Sequence, residues 1–370
     1  MQLERVELVD FRNYHQESAE LGPGVTLVTG RNGQGKTNLL EAVHVLCGLG
    51  SHRSAGVEPL VRVGAERAVL RGRGISHGRQ VRAEAEIRHG AGIRLLVNRV
   101  PLQRYRVAGA GPSAVLFSPE DLMLIKGGPE QRRRFLDQGA ARLRPLVTVQ
   151  RLEFERVLRQ RNGVLKAAST SRRALATLEV WDESFVRSGA EVVGSRLRYL
   201  RRLAPSVARH YEEVSGGGEQ PNLLYRPSWE EGETSLVDDR EIERALATAV
   251  GRARSRDLER GASTCGPHRD DLGTALAGLD ARVFASQGEQ RSLALALRLA
   301  EWELESEAGG EEPILLLDDV FSELDEQRRG HLVALVESAG QTIATITSSG
   351  YWPASASRKL KVEAGRIVSG

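Results

Sequence analysis

The chain has 370 residues, 40% of them hydrophobic and 27% charged, with a formal net charge of +3. That length exceeds what one hydrophobic core usually organises, and the composition excludes long disorder. The only two cysteines, Cys47 and Cys265, lack C-x-x-C spacing, which excludes a disulfide framework or a cysteine zinc site; no apolar run approaches the roughly 18 residues of a membrane helix.

The first 125 residues alternate short β-type runs (2–9, 25–28, 69–72, 81–88, 93–97 and 114–117) with turns marked by Gly and Pro. Within them Gly30-Arg31-Asn32-Gly33-Gln34-Gly35-Lys36-Thr37 fits the phosphate-binding loop G-x-x-x-x-G-K-[ST] at every fixed position. It stands between an apolar strand and a helix start at Asn38, where glycines let backbone N–H groups approach phosphate oxygens and the helix N-terminus adds positive partial charge. Lys36 is expected to reach the β/γ-phosphates of ATP and Thr37 to ligate Mg²⁺. The chain holds five lysines against 47 arginines, so a lysine at this position is unlikely by composition alone.

From Gly127 the pattern changes to helical period, continued by a second run over 174–211 across the polar Ser169-Thr170-Ser171 stretch. The two runs read as a helical hairpin, an arm over 126–215 inserted between an N-terminal lobe (1–125) and a C-terminal lobe (216–370), and Ser215-Gly216-Gly217-Gly218 ends it. The arm holds 19 basic and 10 acidic side chains, whereas the last segment holds 17 and 27. A basic face of that size suggests an anionic partner, with nucleic acid leading, although solvated arginine-rich helix faces give the same count. Sequence-independent phosphate contacts are expected from Arg132, Arg133, Arg196, Arg198, Arg201 and Arg202. Aromatic content of 5% supplies few stacking platforms, which favours duplex over single strands.

In the last lobe a strand is expected over 223–225 and a helix over 241–258. Then Ser286-Gln287-Gly288-Glu289-Gln290 opens a long helix, either an anion-receptive N-terminus or an ordinary capping box. Ile314-Leu315-Leu316-Leu317-Asp318-Asp319 reads as a buried parallel strand ending in two carboxylates. Asp318 is expected to contact Mg²⁺ and Asp319 to orient or deprotonate the attacking water. Ser322-Glu323-Leu324-Asp325 follows, and then a strand over 341–346.

This order of motifs resembles the ABC-type ATPase heads, an α/β fold of two lobes here carrying an α-helical arm between them. The resemblance implies that Ser286 and Gly288 act in trans on the γ-phosphate held by a second copy, that Gln290 belongs to the nucleotide-binding set, that Asp325 lies at the dimer seam, and that ATP joins a homodimer. Two stretches depart from the pattern. No Gln occupies the Q-loop position, where Glu120 or Asp121 falls, and Thr347-Ser348-Ser349 stands where a switch histidine is expected, so slow hydrolysis is implied. An SMC-type tether would need hundreds of heptad residues between the lobes, and a transporter subunit places its signature closer behind the phosphate loop.

Three further stretches are similar to the RecF family of recombinational repair proteins: Asp10-Phe11-Arg12-Asn13-Tyr14, Phe117-Ser118-Pro119-Glu120-Asp121-Leu122 with Arg132-Arg133-Arg134-Phe135-Leu136-Asp137, and Gly266-Pro267-His268-Arg269-Asp270-Asp271. The resemblance implies a cytoplasmic ATPase that binds double-stranded DNA and double-strand/single-strand junctions, works with RecR and RecO, and helps load RecA. It also implies that Arg12 and Asn13 lie beside the nucleotide. His268 reads equally as a side chain that steadies its own loop.

Overall fold

The computed structural model describes residues 2–51, 53, 56–102, 111–168, 171–217, 219–229, 238–347, 352 and 356–369. In chain order the first elements are β1 (Gln2–Phe11), β2 (Tyr14–Glu20), β3 (Gly24–Thr29), α1 (Lys36–Leu46), β4 (Arg67–Ser76), β5 (Arg79–Arg88), β6 (Gly92–Val97), β7 (Val100–Pro101) and β8 (Ala114–Phe117). The helical part follows with α2 (Met123–Lys126), α3 (Pro129–Leu143), α4 (Leu146–Ala168), α5 (Arg172–Ser215), β9 (Pro221–Arg226), α6 (Asp239–Arg260), β10 (Asp271–Leu276), β11 (Leu279–Asp280) and α7 (Ala281–Phe284). The chain continues through α8 (Gln287–Gly309), β12 (Ile314–Asp318), α9 (Glu326–Ser338), β13 (Gln341–Ile346), β14 (Arg358–Glu363) and β15 (Arg366–Ser369).

Two compact units result. The first comprises Met1–Asp121, Glu212–Gly217 and Leu295–Gly370, and the second Leu122–Tyr211 and Gly218–Ala294. Compared with the expected segments 1–125, 126–215 and 216–370, residues 218–294, with the Ser286 motif, fall with the helices.

The first unit contains two six-stranded sheets. One is antiparallel in the order β2-β1-β4-β5-β6-β7, and the other runs β15-β14-β3-β13-β12-β8 with all strands but β15 parallel. Alternation decides which side each residue serves: Leu316 of β12 joins a core with α1 (Leu39, Leu40, Val43) and the antiparallel sheet (Leu8, Leu70). Leu315 and Leu317 face the other way, into a core with Leu295 and Leu299 of α8 and Leu332 and Val336 of α9. A strand covered on both faces needs an unbroken apolar run, and Ile314 to Leu317 provide it. Each such fully buried side chain contributes about 1.5–3 kcal/mol.

The second unit packs α4, α5 and α6 around Phe154, Val157, Phe185, Val186, Leu246 and Val250, beside a three-stranded sheet β11-β10-β9. The expected two-run hairpin over 126–215 is instead made of α3, α4 and α5. Pro145 divides the first run, because the residue before a proline is pushed out of helical geometry, and Arg144 is extended at φ −143 and ψ 99. Residues 169 and 170 of the expected connection lie outside the described residues. Among the described residues, no helix is long and apolar enough to cross a membrane.

Candidate functional site

The phosphate loop leaves the C-terminal end of β3, and the strand register brings three other chain segments to it. Parallel pairing sets Thr345 of β13 beside Val28 on one side and beside Asp318 of β12 on the other. Ligand sites in such sheets form at these carboxyl ends. Asp318 Oδ1 accepts from Thr37 Oγ1 at 2.9 Å and from Thr345 Oγ1 at 2.7 Å, so the two expected metal ligands, 281 residues apart in sequence, are in hydrogen-bond contact. Asp319 follows in left-handed geometry at φ 51, its N–H donating to the Thr345 main-chain oxygen at 3.2 Å and to its hydroxyl at 3.0 Å.

Lys36 is buried and curls over its own loop, donating to the Gly30 and Arg31 carbonyls at 2.8 and 3.1 Å. Burial lowers its ammonium below the usual lysine range, while Asp319 and Asp318 pull it back up. The helix behind it starts with Gly35 as N-cap, which has no side chain to bond its first N–H groups. An uncapped N-terminus beside a buried ammonium suits a polyphosphate. No cluster of three or more His, Cys, Asp or Glu side chains suited to a metal exists among the described residues. Thr37 and Asp318 alone fit Mg²⁺, which takes few protein ligands and completes its shell with substrate phosphates and water.

The loop is braced from both sides. Asn13 Nδ2 donates to the Gln34 carbonyl at 2.8 Å, Tyr14 Oη donates to the Gly35 carbonyl at 2.8 Å, and Asn38 Nδ2 donates to Asn13 Oδ1 at 2.8 Å. From the β14–β15 turn, Gly365 N–H donates to the Gln34 carbonyl at 3.0 Å and Ala364 N–H to Gln34 Oε1 at 2.6 Å. Gly35 sits at φ 121, and a Cβ there would stand 2.8 Å from Asn13 Nδ2, so only glycine admits this brace. Arg31, Asn32 and Gly33 are exposed at the loop tip.

Arg12 is near the loop, but its guanidinium forks onto Glu41 with both bonds at 2.7 Å and reaches the Pro59 carbonyl at 2.9 Å. Glu41 is completely buried on α1 and also accepts from Ser51 Oγ at 2.6 Å. Glu41, Tyr14, Thr345 and the Ala364–Gly365 turn escaped the sequence reading. A lone carboxylate inside the apolar run of α1 was the available signal for Glu41.

Of the two acids at the Q-loop position, Asp121 is buried and committed to structure. It accepts from Ser118 N–H at 2.8 Å and pairs with Arg298 at 2.7 Å. Glu120 keeps an exposed side chain, but partial desolvation by the protein around its carboxyl raises it above the usual range, with Arg53 lowering it and Asp318 raising it again. Of the switch stretch, Thr347 is described and Ser348 and Ser349 lie outside the described residues.

The remaining motif residues stand on other elements. Ser286 and Glu289 form a capping box at the start of α8, Ser286 N–H donating to Glu289 Oε2 at 2.7 Å and Glu289 N–H to Ser286 Oγ at 3.3 Å. Gln290 points inward and donates to the Ala281 and Arg282 carbonyls at 3.0 and 3.3 Å, which fits a brace for α7 rather than the expected nucleotide contact. Asp325 caps α9, accepting from Arg328 N–H at 3.0 Å.

Two arginines expected on DNA are internal instead. Arg132 is 4% exposed and forks onto Asp271, and Arg196, also 4% exposed, forks onto Asp137. A desolvated guanidinium needs its carboxylate, so neither can leave for a phosphate. Arg133 donates to the Asp270 carbonyl at 2.8 Å and Arg198 pairs with Asp239 at 2.6 Å; Arg201 and Arg202 are exposed. Helical period could not separate outward from inward arginines, because the helices are covered on more than one face.

His268 packs between Phe154 and Phe185 and contacts the Ser263 carbonyl at 3.2 Å, steadying its own loop. Burial pushes its imidazole down to about 4. The neutral form is therefore favoured in the folded chain, so its stabilisation is complete above pH 6.5 and is lost as pH falls from there towards 4. Urea unfolding at pH 7 and pH 4.5 should show a loss of about 1–3 kcal/mol in this window, and a His268→Gln variant should flatten that acid limb.

Residues 2–362 match the family described as RecF/RecN/SMC N terminal domain. A DNA replication and repair protein RecF of Beutenbergia cavernae is 45% identical over 370 residues, covering 93% of each chain, and that of Frankia alni is 43% identical, covering 100% of this chain and 99% of its own. A structure of the recombination mediator protein RecF with ATP, in the RecFOR pathway, superposes with a TM-score of 0.91 at 30% identity, over 100% of this chain and 97% of that one. An Smc head domain from Pyrococcus furiosus shares the fold at a TM-score of 0.52 and 17% identity, over 100% and 96% of the two chains. The expected ATPase-head fold is the one found, and the chain belongs to the RecF family of DNA replication and repair proteins.

Proposed function

We propose that this chain is an ATP-dependent DNA-binding protein of recombinational repair, a slow ATPase that dimerises on ATP, binds duplex DNA beside single-strand gaps, and works with RecO and RecR in loading RecA. The observation that carries it is the Thr37–Asp318–Thr345 contact beside the buried Lys36, at the end of an uncapped helix. A relative solved with ATP and named for the RecFOR pathway supports the nucleotide and the pathway.

In this reading the α1 N-terminus and Lys36 bind the β/γ-phosphates and exchange the Gly30 and Arg31 carbonyls for phosphate oxygens. Thr37 and Asp318 would hold Mg²⁺, which would supply charge neutralisation at the phosphates. Asp319 positions the attacking water and takes its proton. Ser286 and Gly288 of a second copy close on the same γ-phosphate, with Asp325 at the seam. Cytoplasmic location follows from the partners.

Measuring ATPase rate over a protein concentration series, with and without duplex DNA, tests the reading. Rate per chain should rise with protein concentration and rise again with duplex. A rate per chain that stays flat from nanomolar to micromolar protein would remove the dimer from the mechanism.

A further inference from the structure

The outward face of the antiparallel sheet is divided by its register into rows of different charge balance. In β4 and β5, Leu70, Ala83, Ala85 and Ile87 face the core, and Arg71, Arg73, Arg82, Glu84 and Glu86 face out. Towards one end acids and bases alternate. Arg71 lies opposite Glu7 on one neighbour and Glu84 on the other, and Glu86 takes both Arg67 at 2.9 Å and Arg88 at 2.8 Å.

The next row reverses this balance. Arg5 of β1 stands opposite Arg73 of β4, and Arg73 stands opposite Arg82 of β5. Arg5 is answered by Glu7 at 3.3 Å and Glu20 at 3.2 Å. Arg73 and Arg82 are exposed and have no acidic partner among the described residues. The same holds for Arg79 at the start of β5 and for Arg99 in the β6–β7 turn. That turn is pinned to the row, since Asn98 N–H donates to the Arg82 carbonyl at 2.8 Å and Arg82 N–H donates to Asn98 Oδ1 at 2.9 Å.

Like charges directly across a strand pair destabilise a sheet, and strands lie about 4.8 Å apart, so Arg73 and Arg82 repel one another unless an anion sits over them. We propose that Arg73 and Arg82, with Arg79 and Arg99, form a docking surface for the phosphate backbone of duplex DNA. The proposal rests on the DNA-binding reading above and gives it a location on the unit that holds the phosphate loop; Arg132 and Arg196, of the other unit, are taken up by Asp271 and Asp137. Guanidinium forks match phosphate oxygens in geometry. No Phe, Tyr or Trp occurs in β4, β5 or β6, so the face offers nothing for unpaired bases to stack on and favours a duplex.

The test compares two double variants of the full chain with equal charge loss, Arg73→Gln/Arg82→Gln and Arg67→Gln/Arg88→Gln, for binding of a labelled duplex of about 30 base pairs with ATP present. The first should bind on the order of 10-fold more weakly at about 0.1 M salt, and its slope of log affinity against log salt should fall by about two, at roughly 0.9 per phosphate. The second should stay within about twofold of the parent, and Arg73→Lys/Arg82→Lys should keep the parent slope. Thermal unfolding of the first variant should match or exceed the parent, which separates lost binding from lost folding. Equal losses in both Gln variants would mean that net charge alone acts, and the surface would be wrong. Parental affinity in the first variant also overturns the surface while leaving the DNA-binding reading intact, and an acidic protein partner would then be the occupant to seek. A parent that binds no duplex at any salt overturns both.

Discussion

A Lys36→Met variant should bind ATP on the order of 100-fold more weakly, since it removes a charged donor worth about 1.5–3 kcal/mol to the phosphates. The folded chain itself should not suffer. Among the described residues Lys36 donates to the Gly30 and Arg31 carbonyls alone, and burial already disfavours its charge. Methionine removes the desolvated ammonium and keeps much of the apolar stem. The check is thermal unfolding with and without ATP. At an ATP concentration near 100 times the parent dissociation constant, the parent gains about 2.7 kcal/mol, and the variant should gain a small fraction of that. An equal gain in both proteins would remove Lys36 from the nucleotide.

Asp319→Asn should leave ATP binding close to that of the parent and slow turnover by about 10²–10⁴-fold, the span that a positioned general base supplies. The backbone tolerates the change, because asparagine enters left-handed geometry readily and the two bonds from the residue 319 N–H to Thr345 do not involve the side chain. With hydrolysis slowed, the ATP-closed dimer should persist, so gel filtration after a brief ATP pulse should show dimer in the variant at times when the parent has returned to monomer. A variant that turns over ATP at the parent rate would exclude Asp319 as the base.

The parts of this site that the sequence disclosed are those where one short segment carries the whole chemistry. The 30–37 loop and the 314–319 strand each state their geometry locally, through glycine spacing in one and an apolar run ending in acids in the other. The parts it hid are contacts between distant segments. β2 was illegible because Tyr14–Glu20 is an edge strand with only Tyr14 and Ala19 buried, so it shows no apolar run. Thr345 looks like any β-branched strand residue until the parallel register sets it between Val28 and Asp318. Arg132 and Arg196 looked available because charge counts do not register the partner carboxylates at Asp271 and Asp137. Gln290 belonged to a motif by position, yet its amide holds α7.

The brace from Ala364 and Gly365 to Gln34 has a bearing on how the protein is made. Synthesis runs from the N-terminus, so the glycine-rich loop emerges from the ribosome more than 300 residues before the turn that fixes it. A nascent chain therefore carries the loop sequence without its finished shape, and β14, which pairs with β3 and completes the parallel sheet beside it, is likewise translated more than 300 residues after its partner strand. The loop therefore takes its braced form only after residues 364 and 365 have been made.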